Sequence, residues 1–228
     1  MPTLVIANKI YSSWSLRPWI LMRHYGLPFE EVVIPLDQPE TRARILAYSP
    51  AGKVPVLIDG DAVVWESLAI LETLAERHPD LPIWPRDPAA RALARSIAGE
   101  MHAGFRALRA ALPMNLGRRY AHRDRGADVG ADVARITAIW RDARDRFGAG
   151  GPYLFGADFG AADAMYAPVV TRLDTYQWPV EADIRAYMDS VLALPAFREW
   201  REQGLRESWL VPHDEVDEPA IENYREGL

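Results

Sequence analysis

An α/β domain followed by an all-helical domain is what this sequence predicts, on three observations. Up to about residue 80, short β-rich runs alternate with helical patterns. Four prolines then fall within the eleven residues His78 to Pro88, where no helix can continue. Beyond them the apolar residues recur at helical spacing, and no strand alternation competes.

The elements follow in order. Leu4 to Ala7 is an apolar, strand-like run. From Ser15 to Tyr25, Leu16, Trp19, Ile20 and Leu21 keep helical spacing, with Pro18 placed early, where a missing N–H costs least. Phe29 to Pro35 is β-rich, and Gln38 to Tyr48 predicts a short helix. A loop from Ser49 feeds a strand that ends at the Asp59-Gly60 turn, and a second strand covers Ala62 to Trp65. Ser67 is placed as the N-cap of an amphipathic helix ending near Arg77. The resulting order is β-α-β-α-β-β-α. Domain limits are 1–80 and 89–228, with 81–88 as linker. The second domain predicts helices over Ala89 to Ala111, Ala131 to Phe147, Ala161 to Tyr176, Ala182 to Ala193 and Pro195 to Glu202. Arg118 to Arg125 is locally basic and predicts a solvated loop; the acidic tail from Val211 to Leu228 predicts a segment that wraps the surface or frays.

Tyr11-Ser12-Ser13-Trp14-Ser15-Leu16-Arg17 stands where the first strand runs into the first helix. Orphan backbone donors and the positive end of the helix dipole point there, and serine hydroxyls add further donors. The cluster therefore suits an anion: a thiolate, carboxylate or phosphate. One serine alone would be an ordinary helix cap; three exceed that need.

These pieces resemble the glutathione S-transferase superfamily over nearly the whole chain. The resemblance rests on Ser-Ser-Trp-Ser-Leu-Arg at 12–17, Ser-Pro-Ala-Gly-Lys-Val-Pro-Val-Leu at 49–57, Glu-Ser-Leu-Ala-Ile at 66–70 and Tyr-Leu-Phe-Gly-(x)4-Ala-Ala-Asp-Ala at 153–164, in family order and spacing. It is closest to serine-type bacterial members, with a zeta-class character in the doubled serine. The fold it implies is an α/β thioredoxin-like N-terminal domain plus an all-α C-terminal domain. The activity it implies is transfer of the glutathione thiolate, with glutathione as co-substrate, to a small, largely apolar electrophile. An alternative is glutathione-dependent cis/trans isomerisation of the maleylacetoacetate isomerase type; another is a non-catalytic binding protein.

By the same resemblance, Val54 pairs its backbone with the cysteinyl part of glutathione and Pro55 is cis. Glu66 takes the γ-glutamyl ammonium, Ser67 takes its carboxylate, and Lys53 is the candidate for the glycyl carboxylate. Ser12 or Ser13 stabilises the thiolate, and the patterns leave both open. Tyr11 is the minor alternative, and Arg17 braces the helix. A free thiol has a pKa near ~8.5, so lowering it by two units needs roughly 2.7 kcal/mol, within reach of one hydroxyl donor and a helix dipole. Zeta-class members carry cysteine where Trp14 stands. Trp14, Met101, Phe105 and Arg109 are candidates for the electrophile site, with His102 a further polar contact. Glycine at 160, where the family has serine or threonine, removes half of a capping box, while Asp163 still serves the helix start.

Composition narrows the chemistry. The chain has no cysteine, which excludes disulfide exchange on the protein itself and thiolate metal sites. Its five histidines lack ligand spacing, so no metal is expected. A net charge of −6 gives no reason to expect nucleic acid, and no apolar run is long enough to predict a membrane span. The N-terminus reads as a strand rather than a signal peptide, so a cytoplasmic location is expected, and a homodimer is implied by the resemblance alone.

Overall fold

The structure, a computed structural model, describes residues 1–225. Alternation along β1 (Thr3–Ile6) decides the layering of the first domain. Successive side chains point to opposite faces, so Leu4 and Ile6 enter the main core while Val5 joins a smaller cluster. The main core lies against α1 (Ser13–His24) and α3 (Ser67–Arg77); the smaller one unites Val5, Val56 and Ile34 with Ile45 of α2 (Thr41–Leu46). β1 is parallel to β2 (Glu30–Val33) and antiparallel to β3 (Val56–Asp59), which pairs with β4 (Ala62–Trp65), in the order β2-β1-β3-β4. Gly60, at φ +61°, makes the turn between the last two strands. The predicted element order is met, and it is thioredoxin-like.

α1 begins two residues before the expected Ser15, so Pro18 falls beyond the first turn. Its missing N–H leaves the Trp14 carbonyl without a helical partner. Burial of most of the helix, from Ser15 through Met22, holds it together, as tertiary packing does for most protein helices.

The proline-rich linker is packed rather than free. Ile83 is fully buried, and its carbonyl accepts a hydrogen bond from Ala161 N at 2.7 Å. Pro88 is the first residue of α4 (Pro88–Ala103), where Asp87 Oδ1 accepts from Ala90 N at 2.8 Å. The second domain continues through α5 (Arg106–Ala111), β5 (Arg118–Tyr120), α6 (Ala127–Phe147), α7 (Ala161–Thr175), α8 (Ala182–Leu192), α9 (Pro195–Leu205) and β6 (Ala220–Asn223). α7 is apolar nearly all round and lies at the centre, packed on α1 and α4.

Three expectations are corrected here. The helix expected over 89–111 is two helices. Gly104 ends α4, Phe105 takes the left-handed conformation at φ +57°, and Asp132 Oδ2 on α6 accepts from Leu108 N at 3.0 Å to start α5. A Cβ at Gly104 would lie 2.8 Å from the Glu100 carbonyl oxygen. Gly104→Ala is therefore expected to cost about 1–3 kcal/mol by overpacking, read as a lower urea midpoint at unchanged m-value. Secondly, α6 starts at Ala127 rather than Ala131, with Gly130 inside the helix.

The third correction concerns Arg118 to Arg125, of which only Ala121 to Asp124 form an exposed loop. β5 pairs antiparallel with β6 from the tail, and the arginines meet acidic partners: Arg118 with Glu215 at 3.1 Å, Arg119 with Asp174 at 3.4 Å, and Arg125 with Glu218 at 2.5 Å. The tail thus wraps the surface as far as Arg225; the remainder of the expected tail, 226–228, lies outside the described residues. Among the described residues, no helix is long and apolar enough to cross a membrane.

Candidate functional site

The β3 entry, the β4–α3 junction and the start of α1 meet at a cleft of about 260 Å³. It gathers Lys53, Val54, Pro55, Glu66 and Ser67, which are the five expected glutathione-binding residues, along with Trp14, Trp65 and His102. The Val54–Pro55 peptide is cis. Glu66, rather than Ser67, occupies the N-cap position of α3, with φ +69° and ψ 124°. This left-handed turn joins β4 to α3 in a single residue, a conformation that glutamate's local preferences do not announce. Ser67 is consequently the first helical residue, where its backbone N–H has no helical partner. Its hydroxyl is buried, and among the described residues its hydrogen-bond partner is Met165 Sδ, at 3.9 Å. Glu66 Oε2 faces His102 Nε2 at 3.5 Å. Lys53 is exposed, with no hydrogen bond or ion pair among the described residues.

A second cavity, of about 670 Å³, adjoins the first and shares Trp14, His102 and Arg109 with it. Ser13, Arg106 and Arg172 complete its polar wall, while Ala103 and Ala110 add small apolar surface. Met101 and Phe105, expected here, are 0% and 7% exposed within the core and do not line it. Their helical spacing was a packing signal. The expected apolar electrophile wall is instead largely cationic.

The hydroxyl cluster divides its roles. Ser12 caps α1 through its carbonyl, which accepts from Leu16 N; its Oγ donates to Ser15 Oγ at 2.7 Å, and Ser15 Oγ accepts from Ala7 N at 3.1 Å. Ser13, the first residue of α1, has a hydroxyl with no hydrogen bond among the described residues. The Tyr11 hydroxyl is turned to the tail, donating to Glu215 at 2.5 Å and accepting from Arg225 at 3.1 Å. Burial, reinforced by Glu215, pushes its ionisation above the ordinary tyrosine range.

Two supports hold Ser13 in place. Arg17 is buried, donating to the Met165 carbonyl and to the Ser13 carbonyl, each at 3.0 Å, with its guanidinium 4.0 Å from the Trp14 ring centroid. This is the bracing role expected of it. Asn8, which sequence reasoning missed, accepts from Tyr11 N and Ser12 N through its carbonyl and from Leu36 N through Oδ1 at 2.7 Å. A lone polar residue at a strand end carries no signal for that. Among the described residues, no three metal-ligating side chains come together.

The family model for the glutathione S-transferase N-terminal domain matches residues 11–77, and that for the C-terminal domain matches residues 91–203. The chain belongs to the glutathione S-transferase family. Among its relatives, a probable maleylacetoacetate isomerase of Caenorhabditis elegans is 28% identical over 203 residues, covering 82% of this chain and 90% of that protein. A maleylacetoacetate isomerase of Pseudomonas aeruginosa is 29% identical over 200 residues, covering 82% and 91%. Among solved structures, a glutathione transferase homologue from Burkholderia with bound glutathione superposes with a TM-score of 0.66 at 22% identity, covering 89% of this chain and 97% of the other. That likeness carries the fold.

Proposed function

We propose that this protein is a glutathione transferase that adds the glutathione thiolate to an electrophilic carbon, with glutathione in the first cavity and the acceptor in the second. The observation that supports this most is Ser13. Its uncommitted hydroxyl stands at the start of α1, on the wall of the second cavity and beside Trp14, which belongs to both.

In this reading Glu66 pairs with the γ-glutamyl ammonium, and the Ser67 hydroxyl and N–H hold the adjoining carboxylate. The Val54 backbone aligns the cysteinyl residue, and Lys53 takes the glycyl carboxylate. Ser13 Oγ then donates to the sulfur. The thiol proton leaves to solvent. The thiolate forms the C–S bond as the carbon's leaving group departs with its electron pair or, for a conjugated acceptor, as the π bond opens and the resulting carbanion takes a proton from solvent; no protein nucleophile takes part. Ser12 keeps the loop in place through Ser15. A cytoplasmic homodimer is part of the same reading.

Calorimetric titration of glutathione into wild type and Ser67→Ala tests the binding half. The variant is expected to lose about 1–3 kcal/mol, the range for removing one partner of a charge-assisted hydrogen bond. Unchanged affinity would refute the γ-glutamyl assignment. A second reading, glutathione-dependent isomerisation, is supported by the two relatives named maleylacetoacetate isomerase. There the thiolate would add to a conjugated diene acid and leave again after bond rotation.

A further inference from the structure

A hydroxyl favours a thiolate only when it is held at hydrogen-bond distance from the sulfur, and an error of about 1 Å in such a contact costs on the order of a hundredfold in rate. The segment that leads to Ser13, residues 7–12 between β1 and α1, has no strand or helix of its own to hold it. The Asn8 carbonyl and the Ser12–Ser15 pair close its turn from within. Its middle, Lys9 to Tyr11, is held by partners far along the chain. Lys9 N donates to both carboxylate oxygens of Glu207, at 2.9 and 3.0 Å, and the Lys9 carbonyl accepts from Trp200 Nε1 at 2.8 Å. The Ile10 carbonyl accepts from Leu116 N at 3.3 Å, and the Tyr11 hydroxyl is shared by Glu215 and Arg225.

The approach of these partners is built into the chain. A Cβ at Gly204, near the end of α9, would lie 3.0 Å from Lys9 Cβ and 3.2 Å from Ile10 N. One at Gly117 would lie 2.7 Å from Arg225 Cδ. Arg225 fastens the strap that follows α9 to itself and to the loop at once, donating to the carbonyls of Glu207 and, at 3.4 Å, Trp209 as well as to the Tyr11 hydroxyl. A guanidinium, with five donors in a fixed fork, can serve three acceptors together. Glu207 makes no ion pair among the described residues; the ammonium of Lys9 meets Glu31 instead. Its carboxylate is thus committed to the loop backbone, in the stronger, charge-assisted kind of hydrogen bond. Gly204, Glu207, Glu215 and Arg225 all lie beyond the segment matched to the family's C-terminal domain.

We propose that Glu207 and Arg225 are positioning residues for Ser13: they fix the loop ahead of α1 so that the Ser13 hydroxyl meets the glutathione sulfur. The end of the second domain in this way sets the thiol chemistry of the first. The inference rests on the glutathione-transferase reading and adds to it residues that touch neither substrate.

Ultraviolet difference titration of bound glutathione tests it, in Glu207→Ala and Arg225→Gln, each with and without Ser13→Ala. With Ser13 present, each substitution is expected to raise the thiol pKa by about one unit, a tenfold weaker stabilisation of the thiolate, while calorimetric affinity for glutathione changes less than about threefold. With Ser13→Ala, neither should move the pKa further, because positioning acts through that hydroxyl. Glu207→Gln, which keeps one acceptor oxygen for Lys9 N, should restore most of the wild-type value. A merely structural brace would lower the urea midpoint and leave the pKa in place. That outcome, or an equal shift in the absence of the Ser13 hydroxyl, would overturn the proposal while leaving the transferase reading intact. The two substitutions stand at separate points of the strap, so if one variant fails to fold the other decides. If wild type binds no glutathione, or binds it with an unshifted thiol pKa, the transferase reading falls and this proposal falls with it.

Discussion

Ser13→Ala is expected to lower kcat about a hundredfold, the scale measured when one donor to a developing or resident anion is removed. The same substitution should raise the pH at which bound glutathione ionises. If Ser13 and the α1 dipole together depress the thiol pKa by two units, most of roughly 2.7 kcal/mol is lost with the hydroxyl. Glutathione affinity should change little, because Glu66, Ser67, Val54 and Lys53 lie away from the sulfur. Ser12→Ala should behave differently. Its hydroxyl is held in the chain from Ser12 through Ser15 to Ala7 N, so removal costs about 1 kcal/mol of stability and leaves the thiol pKa in place. Ultraviolet difference titration of the thiolate, with kcat and KM for each variant, separates the two. A pKa shift in Ser12→Ala with none in Ser13→Ala would reverse the assignment, and a shift only in Tyr11→Phe would replace serine by tyrosine.

That division of labour was not legible in the sequence. Both serines belong to one loop at one helix start, and tertiary features distinguish them: the hydrogen bond from Ser12 to Ser15, and the place of Ser13 on the wall of the second cavity. What could be read was whatever depends on local periodicity: alternation at Leu4 to Ile6, helical spacing from Leu16 to Leu21, and the motifs that bring Lys53, Val54, Pro55, Glu66 and Ser67 together. Features set by partners distant in sequence escaped. The β5–β6 pair joins Arg118 to Asn223 through strands of three and four residues, too short to be seen without each other. The break at Gly104 was hidden because the apolar spacing of Met101, Phe105 and Leu108 runs through it, and Asp132 on another helix caps the new start. Arg106 and Arg172 were overlooked for a related reason: a single arginine on a helix reads as solvated until the fold sets three around one cavity.

Glycine at 160 is a case where a departure from the family's pattern gains a physical account. A Cβ at that position would lie 3.0 Å from the Ile83 carbonyl oxygen, because the proline-rich linker passes directly over the start of α7. The cap hydroxyl is given up to that close approach. Asp163 keeps its half of the arrangement, with Oδ2 accepting from Gly160 N at 3.0 Å and Oδ1 from Leu154 N at 3.0 Å. Oδ1 also accepts from the Tyr187 hydroxyl at 3.2 Å, a contact from α8 that the sequence did not suggest.

Asp163→Ala should accordingly be among the most destabilising substitutions in the chain, at about 4 kcal/mol, because it strands buried donors on Leu154, Gly160 and Tyr187 at once. Asp163→Asn, which keeps one acceptor oxygen, should lose less, and its comparison with wild type carries a pH signature. Burial pushes the Asp163 carboxyl up to about 6, against the three donors that favour its ionised form. A carboxyl whose folded pKa lies above its unfolded one contributes stability that is complete below the unfolded value and is lost as pH rises through the folded one. A shift of about two units corresponds to roughly 3 kcal/mol over the window from about pH 4 to 6. Urea unfolding of both proteins at pH 7.5, 6 and 5 isolates this carboxyl, since the other acidic groups cancel in the difference. Wild type should gain on Asp163→Asn as the pH falls, and a difference independent of pH would refute a neutralisable Asp163. The consequence reaches the site through α7, whose Met165 carbonyl anchors Arg17 beneath Ser13 and whose Arg172 lines the acceptor cavity. A loosened α7 start should therefore weaken turnover before the protein unfolds.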